Sequence, residues 1–231
     1  MQNLPPHIGI ANALTTLITI WFFFKATGNS KTVLIVLAIW LVIQSAISVT
    51  GFYTVTDSLP PRFLLLVLPP FLFIAGLFVT VRGRRFIDNL NVKTLTILHV
   101  IRIPVEIVLF WLFIGKTIPQ LMTFEGRNFD ILSGLSSPVI YYFGFVRKQL
   151  SKKVIIGWNL ICLLLLFNII VNAIFSLPFP FQKFAFDQPN IALLHFPFVW
   201  LPCCIVPIVL LSHLASIRIL AGKSGMTEIQ A

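Results

Sequence analysis

Apolar runs of about 20 residues recur along the whole chain, and they constrain its fold more than any other feature of the sequence. A helix of that length crosses the hydrocarbon core of a bilayer. Of the 231 residues, 58% are hydrophobic and only 10% are charged, which is too little polar surface to cover a soluble core of this size. We therefore expect an all-α membrane helical bundle, with residues 1–231 forming one integral membrane domain in a lipid bilayer.

Charged residues, prolines and glycines divide the apolar runs into seven predicted transmembrane helices. Prolines also fall inside several of these helices, and each removes a backbone donor, so we expect the fourth and seventh spans to be kinked. The predicted spans cover about 8–25, 32–56, 62–81, 94–116, 129–147, 153–177 and 190–217.

The basic residues predict the orientation of these spans. Twelve of the 17 Lys and Arg residues fall at one end of the predicted bundle, four fall at the other, and Arg102 lies within a span. Since basic loops stay in the cytoplasm, we expect the N-terminus outside and the C-terminus inside, in the plasma (inner) membrane. The net charge of +10 does not indicate a nucleic-acid partner, because these residues stand at helix ends rather than in one patch. The twelve are Lys25, Lys31, Arg82, Arg84, Arg85, Lys93, Arg147, Lys148, Lys152, Lys153, Arg218 and Lys223.

The fourth span contains ionisable residues where its neighbours are apolar, in the sequence LHVIRIPVEIVLFW of residues 98–111. His99, Arg102 and Glu106 are spaced by three and four residues, so they share one face of a helix. A charge at the centre of a span costs about 2.5–3.5 kcal/mol, so we expect Arg102 and Glu106 to form an ion pair. Pro104 frees the carbonyl of Val100, which is a second candidate acceptor for Arg102.

Depth in the predicted bundle sorts the polar residues of the spans into two tiers. We expect them to surround a polar cavity between the fourth, fifth and seventh spans, although local packing alone could also explain the ion pair and the histidines. The inner tier contains His99, Arg102 and His213, with Asn159, and the outer tier contains Glu106, Asp130 and His195, with Asn172.

The preferred hypothesis is a protein that binds or transports a small molecule or ion. Arg102 could hold an anionic group while Glu106 and a histidine exchange protons, since ionisable residues inside membranes mark such pathways. The sequence leaves two alternatives open. One is a metal-dependent membrane enzyme with Glu106, Asp130 and His195 as ligands. The other is a haem held between His99 and His213.

Two further features complete the sequence-based predictions. Seven spans with an external N-terminus are similar to the rhodopsin layout, whose retinal needs a lysine in the last span. Residues 191–217 contain no lysine, so we expect no retinal Schiff base. The outer loop 176–190 carries phenylalanines at positions 179, 181, 184 and 186, and we expect them at the membrane interface or in a lid over a lateral opening.

Overall fold

The computed structural model of the protein describes residues 4–222, and this part of the chain is entirely helical apart from turns and loops. The structure also contains short 3-10 and π-helical turns between or next to the α-helices. The 3-10 turns are Phe52–Thr54, His99–Ile101, Gln120–Met122 and Ala192–Leu194, and the π turns are Tyr142–Val146 and Leu201–Ile205. The nine α-helices within these residues are α1 (Pro6–Ala26), α2 (Lys31–Val49), α3 (Leu64–Val79), α4 (Val81–Asp88), α5 (Val92–Leu98), α6 (Arg102–Ile114), α7 (Ile131–Tyr141), α8 (Lys152–Phe175) and α9 (Val206–Ala221).

Several of these helices could span a membrane, which confirms the expected class of fold. Five helices are long and apolar enough: Pro6–Ala26, Lys31–Val49, Val92–Ile114, Lys152–Phe175 and Leu201–Ala221. Two of them contain an irregular turn, at His99–Ile101 and at Leu201–Ile205, close to the prolines that predicted kinks there. The helices α3 and α4 pass the same test together but are bent by 92°, and Ile131–Val146 is a shorter apolar helix.

Two of the predicted spans have the wrong limits. The second ends at Val49 rather than near 56, because Gly51 adopts a left-handed φ of 76° that terminates the helix. The third, predicted at 62–81, agrees with α3 within two residues, and it ends there because Thr80 is extended and accepts a hydrogen bond from the Gly83 amide (3.1 Å), which starts α4 in a new direction. The seventh runs over Leu201–Ala221 instead of 190–217 because prolines interrupt its first turns.

The bundle has an apolar core that also encloses several polar side chains, and its outer surface is largely apolar, unlike that of a soluble protein. Arg102, Glu106 and His213 are buried, whereas Val42, Phe73 and Leu164 are among many large apolar side chains that are exposed. A surface of this kind fits a hydrocarbon environment, in which polar groups must find their partners within the protein.

Contacts between helix ends and between loops define two ends of the bundle. At one end, Arg218 in the last turn of α9 forms a bidentate ion pair with Asp88 at the end of α4, at 2.8 and 3.0 Å. At the other end, the Ile191 amide donates to the Thr117 carbonyl (3.0 Å). Lys223, which the sequence predicts at the same end as Arg218, lies outside the described residues.

Helix α7 packs unusually close to the α5–α6 segment, and this contact positions the polar interior. A Cβ atom on Gly134 would lie 2.9 Å from Cγ1 and 3.1 Å from the amide nitrogen of Ile103. One turn further on, the Ser137 hydroxyl donates to the Thr96 carbonyl (3.0 Å). Small residues on this face therefore bring the start of α7 against Arg102.

Candidate functional site

Arg102 pairs with Asp130, so the predicted Arg102–Glu106 ion pair is wrong. Arg102 Nη1 donates to Asp130 Oδ1, and the two side chains are only 2% and 8% exposed. Asp130 immediately precedes α7, and the close approach at Gly134 brings its carboxylate to the guanidinium. Both side-chain hydrogen bonds of Arg102 go to Asp130 and His213, so the predicted bond to the Val100 carbonyl is also wrong.

A chain of hydrogen bonds continues from Arg102 across α9 to α8. Arg102 Nη2 lies 2.9 Å from His213 Nε2, and His213 Nδ1 lies 2.8 Å from Asn159 Oδ1. Because a guanidinium can only donate, Nε2 is the acceptor and the proton of a neutral His213 sits on Nδ1, which donates to Asn159. The Asn159 amide in turn donates to the Ile155 carbonyl (2.9 Å). We call Arg102, Asp130, His213 and Asn159 the Arg102 network.

His99 stacks on this network without bonding to it. Its ring lies 3.8 Å from the His213 ring, centroid to centroid, at an interplanar angle of 9°, and neither of its nitrogens has a partner. The edge of Trp158 contacts both rings, at centroid distances of 5.6 and 5.9 Å. The expected inner tier therefore does assemble. Rings stacked in this way leave no room for a haem plane between them, so this arrangement does not present His99 and His213 as a pair of axial haem ligands.

Glu106 bonds to a loop residue instead of Arg102. Its Oε1 accepts a hydrogen bond from Asn128 Nδ2 at 2.5 Å, and the same amide also donates to the Met122 carbonyl (3.0 Å). The second oxygen, Oε2, is buried and has no partner. Glu106 is therefore a buried carboxyl group whose one hydrogen bond comes from a neutral amide.

The remaining predicted site residues lie elsewhere. His195 is half-buried, and its Nδ1 lies 3.0 Å from the Ile191 carbonyl four residues earlier. Asn172 is buried and donates to Asn168 Oδ1 (3.3 Å). Among residues 4–222, no three His, Cys, Asp or Glu residues are grouped so that they could hold a metal ion. The proposed ligand set of Glu106, Asp130 and His195 is thus not assembled.

A cavity of about 90 Å³ lies beside the Arg102 network. It is bounded by α3, α6, α8 and the Leu201–Val209 segment. The sequence predicted a cavity enclosed by the fourth, fifth and seventh spans alone. The fifth predicted span contributes only Asp130 to the lining. Its wall is almost entirely apolar, including Phe63, but Arg102, Glu106, Asp130 and Asn190 also line it. Three buried polar atoms of these lining residues have no partner: Arg102 Nε, Glu106 Oε2 and Asn190 Oδ1.

Asn190 of the outer loop lines this cavity, and Phe179 of the same loop packs against its wall. Phe179 is 4% exposed and its ring lies 6.3 Å from that of Phe63, which lines the cavity. Phe186, by contrast, is 72% exposed. The interfacial prediction is therefore wrong for Phe179, because its ring packs between the loop and α3, and only part of the loop has its rings outside.

A family model described as "Domain of unknown function (DUF8737)" matches residues 59–221, which is well over half of the chain. The chain belongs to this family. The DUF8737 domain begins before α3 and ends with α9, so it contains the cavity and the whole Arg102 network, while α1 and α2 precede it. The chain matches no curated protein and no solved structure.

Three residues of the site were not predicted from the sequence: Asn128, Trp158 and Asn190. Asn128 lies two residues after Gly126 in a loop, and its amide holds Glu106. A Cβ on Gly126 would lie 2.2 Å from the Gln120 carbonyl oxygen, so a close loop crossing delivers Asn128 to the interior. Such a crossing leaves no periodic signal in the sequence.

Proposed function

We propose that this integral membrane protein binds a small amphipathic molecule in the cavity beside the Arg102 network, as a step in moving it across the membrane. The observation that carries the proposal is the group of three unpartnered polar atoms on residues lining one apolar cavity. Buried polar groups in folded proteins nearly always have partners, so a cluster of exceptions indicates that a ligand completes them.

The orphaned atoms specify the polar part of that molecule. Arg102 Nε is a hydrogen-bond donor and Asn190 Oδ1 is an acceptor. Glu106 Oε2 is also an acceptor when the carboxyl group is ionised. The charge of Arg102 is already matched by Asp130, and the Glu106 carboxyl has no cationic partner among the described residues. An ammonium or hydroxyl group therefore suits the site better than the anionic group considered from the sequence, and the apolar wall suits a hydrocarbon body.

Glu106 could also couple ligand binding to the release and uptake of a proton. When an ammonium group binds, the Glu106 carboxyl group releases its proton to water, and the carboxylate forms an ion pair with the ammonium. When the ligand leaves, the carboxylate takes up a proton from water. This exchange keeps the buried site close to neutral in both states, which limits the cost of burying charge in the membrane. Proton-coupled transport of an amine is the specific form of the proposal.

Replacing Glu106 by Gln tests this proposal because Glu106 does not hold Arg102. Gln retains an oxygen that accepts from Asn128, so we expect the free energy of unfolding to change by less than about 1 kcal/mol. Binding of alkylamines should weaken about tenfold or more, since a hydrogen bond to a charged group is lost. The measurement is calorimetric titration of the detergent-purified protein with amines, alcohols and carboxylates of equal chain length.

Glu125→Gln provides the control, because it makes the same substitution at an exposed carboxylate in the loop before α7. It should leave alkylamine binding unchanged. The proposal fails if the unmodified protein binds none of the amines or alcohols, or if Glu106→Gln binds amines as tightly as the unmodified protein.

We also propose seven crossings with the N-terminus outside and the C-terminus in the cytoplasm of the plasma (inner) membrane. Five long helices, the α3 helix and Ile131–Val146 supply seven apolar segments, and α4 then lies along the surface with its arginines. A reporter active only in the cytoplasm should work after Ala231 and fail before Met1. Activity from both fusions would indicate an even number of crossings and contradict the proposal.

A further inference from the structure

A second and larger cavity lies on the opposite side of α9 from α8. It has a volume of about 500 Å³ and is a groove between α2 and α3. Thr32 is the one hydroxyl-bearing residue among its lining residues, and the rest are apolar. Its floor is formed by Cys203, Cys204 and the start of α9, and one wall, α2, precedes the DUF8737 domain.

The length of the groove along α2 is close to the thickness of the hydrocarbon region of one membrane leaflet. Along α2 it extends from Thr32 to Trp40, which is about 12 Å at the helical rise, and half of a bilayer's hydrocarbon core is about 15 Å. At the deep end, Trp40 Nε1 donates to the Cys203 carbonyl (2.9 Å) and fixes α2 to the floor. At the shallow end, Phe86 of the short helix α4 completes the lining.

Basic side chains stand around the shallow end. Lys31 precedes Thr32, Arg82 lies one turn before Phe86 on α4, and Arg85 is next to Phe86; all three are exposed. None of the three forms an ion pair with a described residue. The nearest acid on α4, Asp88, is already paired with Arg218. Arg84 differs, because its guanidinium donates to the Phe78 and Val79 carbonyls and caps α3.

We propose that the groove between α2 and α3 is a binding site for one anionic phospholipid. An acyl chain fills the apolar groove, and the phosphate lies against Lys31, Arg82 and Arg85. The length of the groove, its apolar wall and the unpaired positive charge at one end match the two parts of such a lipid. The 92° bend between α3 and α4 places the arginines beside the groove rather than above it. This site is separate from the cavity beside the Arg102 network and does not depend on the function proposed for it.

The test uses the full-length protein in nonionic detergent, titrated with dioleoyl phosphatidylglycerol and, in a matched arm, with dioleoyl phosphatidylcholine. Native mass spectrometry should count one tightly held phosphatidylglycerol. The double variant Arg82→Gln, Arg85→Gln should weaken its binding about thirtyfold, since each basic residue at the surface contributes about fivefold. Binding of phosphatidylcholine should change little.

Two matched controls separate the groove from general effects of charge and bulk. The variant Lys148→Gln, Lys153→Gln removes the same charge from exposed residues before and at the start of α8 and should retain the lipid. Val36→Trp places a large ring in the groove and should displace the lipid, whereas Ile35→Trp, at an exposed position that does not line the groove, should not.

Four results would overturn the proposal. The first is equal binding of the two phospholipids, and the second is equal loss of lipid in the two charge variants. The third is displacement of the lipid by millimolar glycerol phosphate, which would make the site one for a free phosphate. The fourth is a dimer that Val36→Trp dissociates, because a second copy of the chain would then occupy the groove.

Discussion

Asp130→Asn should lower the free energy of unfolding by about 3–5 kcal/mol, the largest stability effect we expect from any single substitution in the site. Asn keeps the shape of Asp and can still accept a hydrogen bond, but it removes the only anionic partner of Arg102 within residues 4–222. A buried guanidinium without a counter-charge is then left inside the bundle. Chemical unfolding in mixed micelles measures the change.

Asp88→Asn is the matched control, because it makes the same substitution in the other ion pair that the described residues form. The Arg218–Asp88 pair is at the surface, with side chains 35% and 45% exposed. Its loss should cost no more than about 1 kcal/mol, because water solvates the separated charges. Similar losses from the two variants would show that burial does not set the strength of the Arg102–Asp130 pair.

Gly134→Ala should lower the free energy of unfolding by about 1–3 kcal/mol and move α7 away from α6. The new methyl group would meet the Ile103 side chain at 2.9 Å and the Ile103 amide nitrogen at 3.1 Å, and the backbone cannot give way without shifting a helix. Since Asp130 stands four residues before Gly134, the shift should also lengthen the Arg102–Asp130 contact. Thermal unfolding measures the loss of stability, and a double-mutant cycle measures the weaker contact, because Asp130→Asn should cost less in the Gly134→Ala background than in the unmodified protein.

Gly157→Ala should have the opposite sign. Gly157 lies within α8, and nothing stands within 4 Å of a Cβ added there. Alanine should therefore stabilise the helix by about 0.5–1 kcal/mol through its lower entropy cost. Destabilisation by both substitutions would mean that helix packing at Gly134 is not the cause.

The long helices of this protein could be predicted because each one corresponds to a continuous apolar stretch of the sequence. Apolar length predicted the long helices, and Gly51 changed the limit of α2 only through local backbone geometry. The direction of the chain after α3 was not predicted, because Thr80 stands between Val79 and Val81 and its role as a helix cap is concealed there. Hydrophobicity measures preference for the membrane, and it does not record where the chain turns within an apolar stretch.

Part of the grouping of polar residues could be predicted from the sequence, but their hydrogen-bond partners could not. Depth along the spans brought His99, Arg102 and His213 together correctly, because a rigid helix converts sequence position into height. It assigned Glu106 to Arg102 because the neighbour four residues away is the only contact a single helix reveals. The actual partner, Asp130, is 28 residues away and reaches Arg102 through an approach that Gly134 permits. Pairing of this kind depends on the packing of helices against each other.

The hydrogen bonds of Arg102 also constrain how the protein is made. Arg102 leaves the ribosome first, Asp130 follows 28 residues later and His213 another 83 residues after that. An α6 helix that entered the bilayer alone would carry an unmatched cation into hydrocarbon. If both segments cross the bilayer as proposed, we expect α6 and α7 to enter as a hairpin that already contains the ion pair. Chains truncated between Met122 and Phe129 should fail to integrate α6, and extending them through Tyr141 should restore its integration.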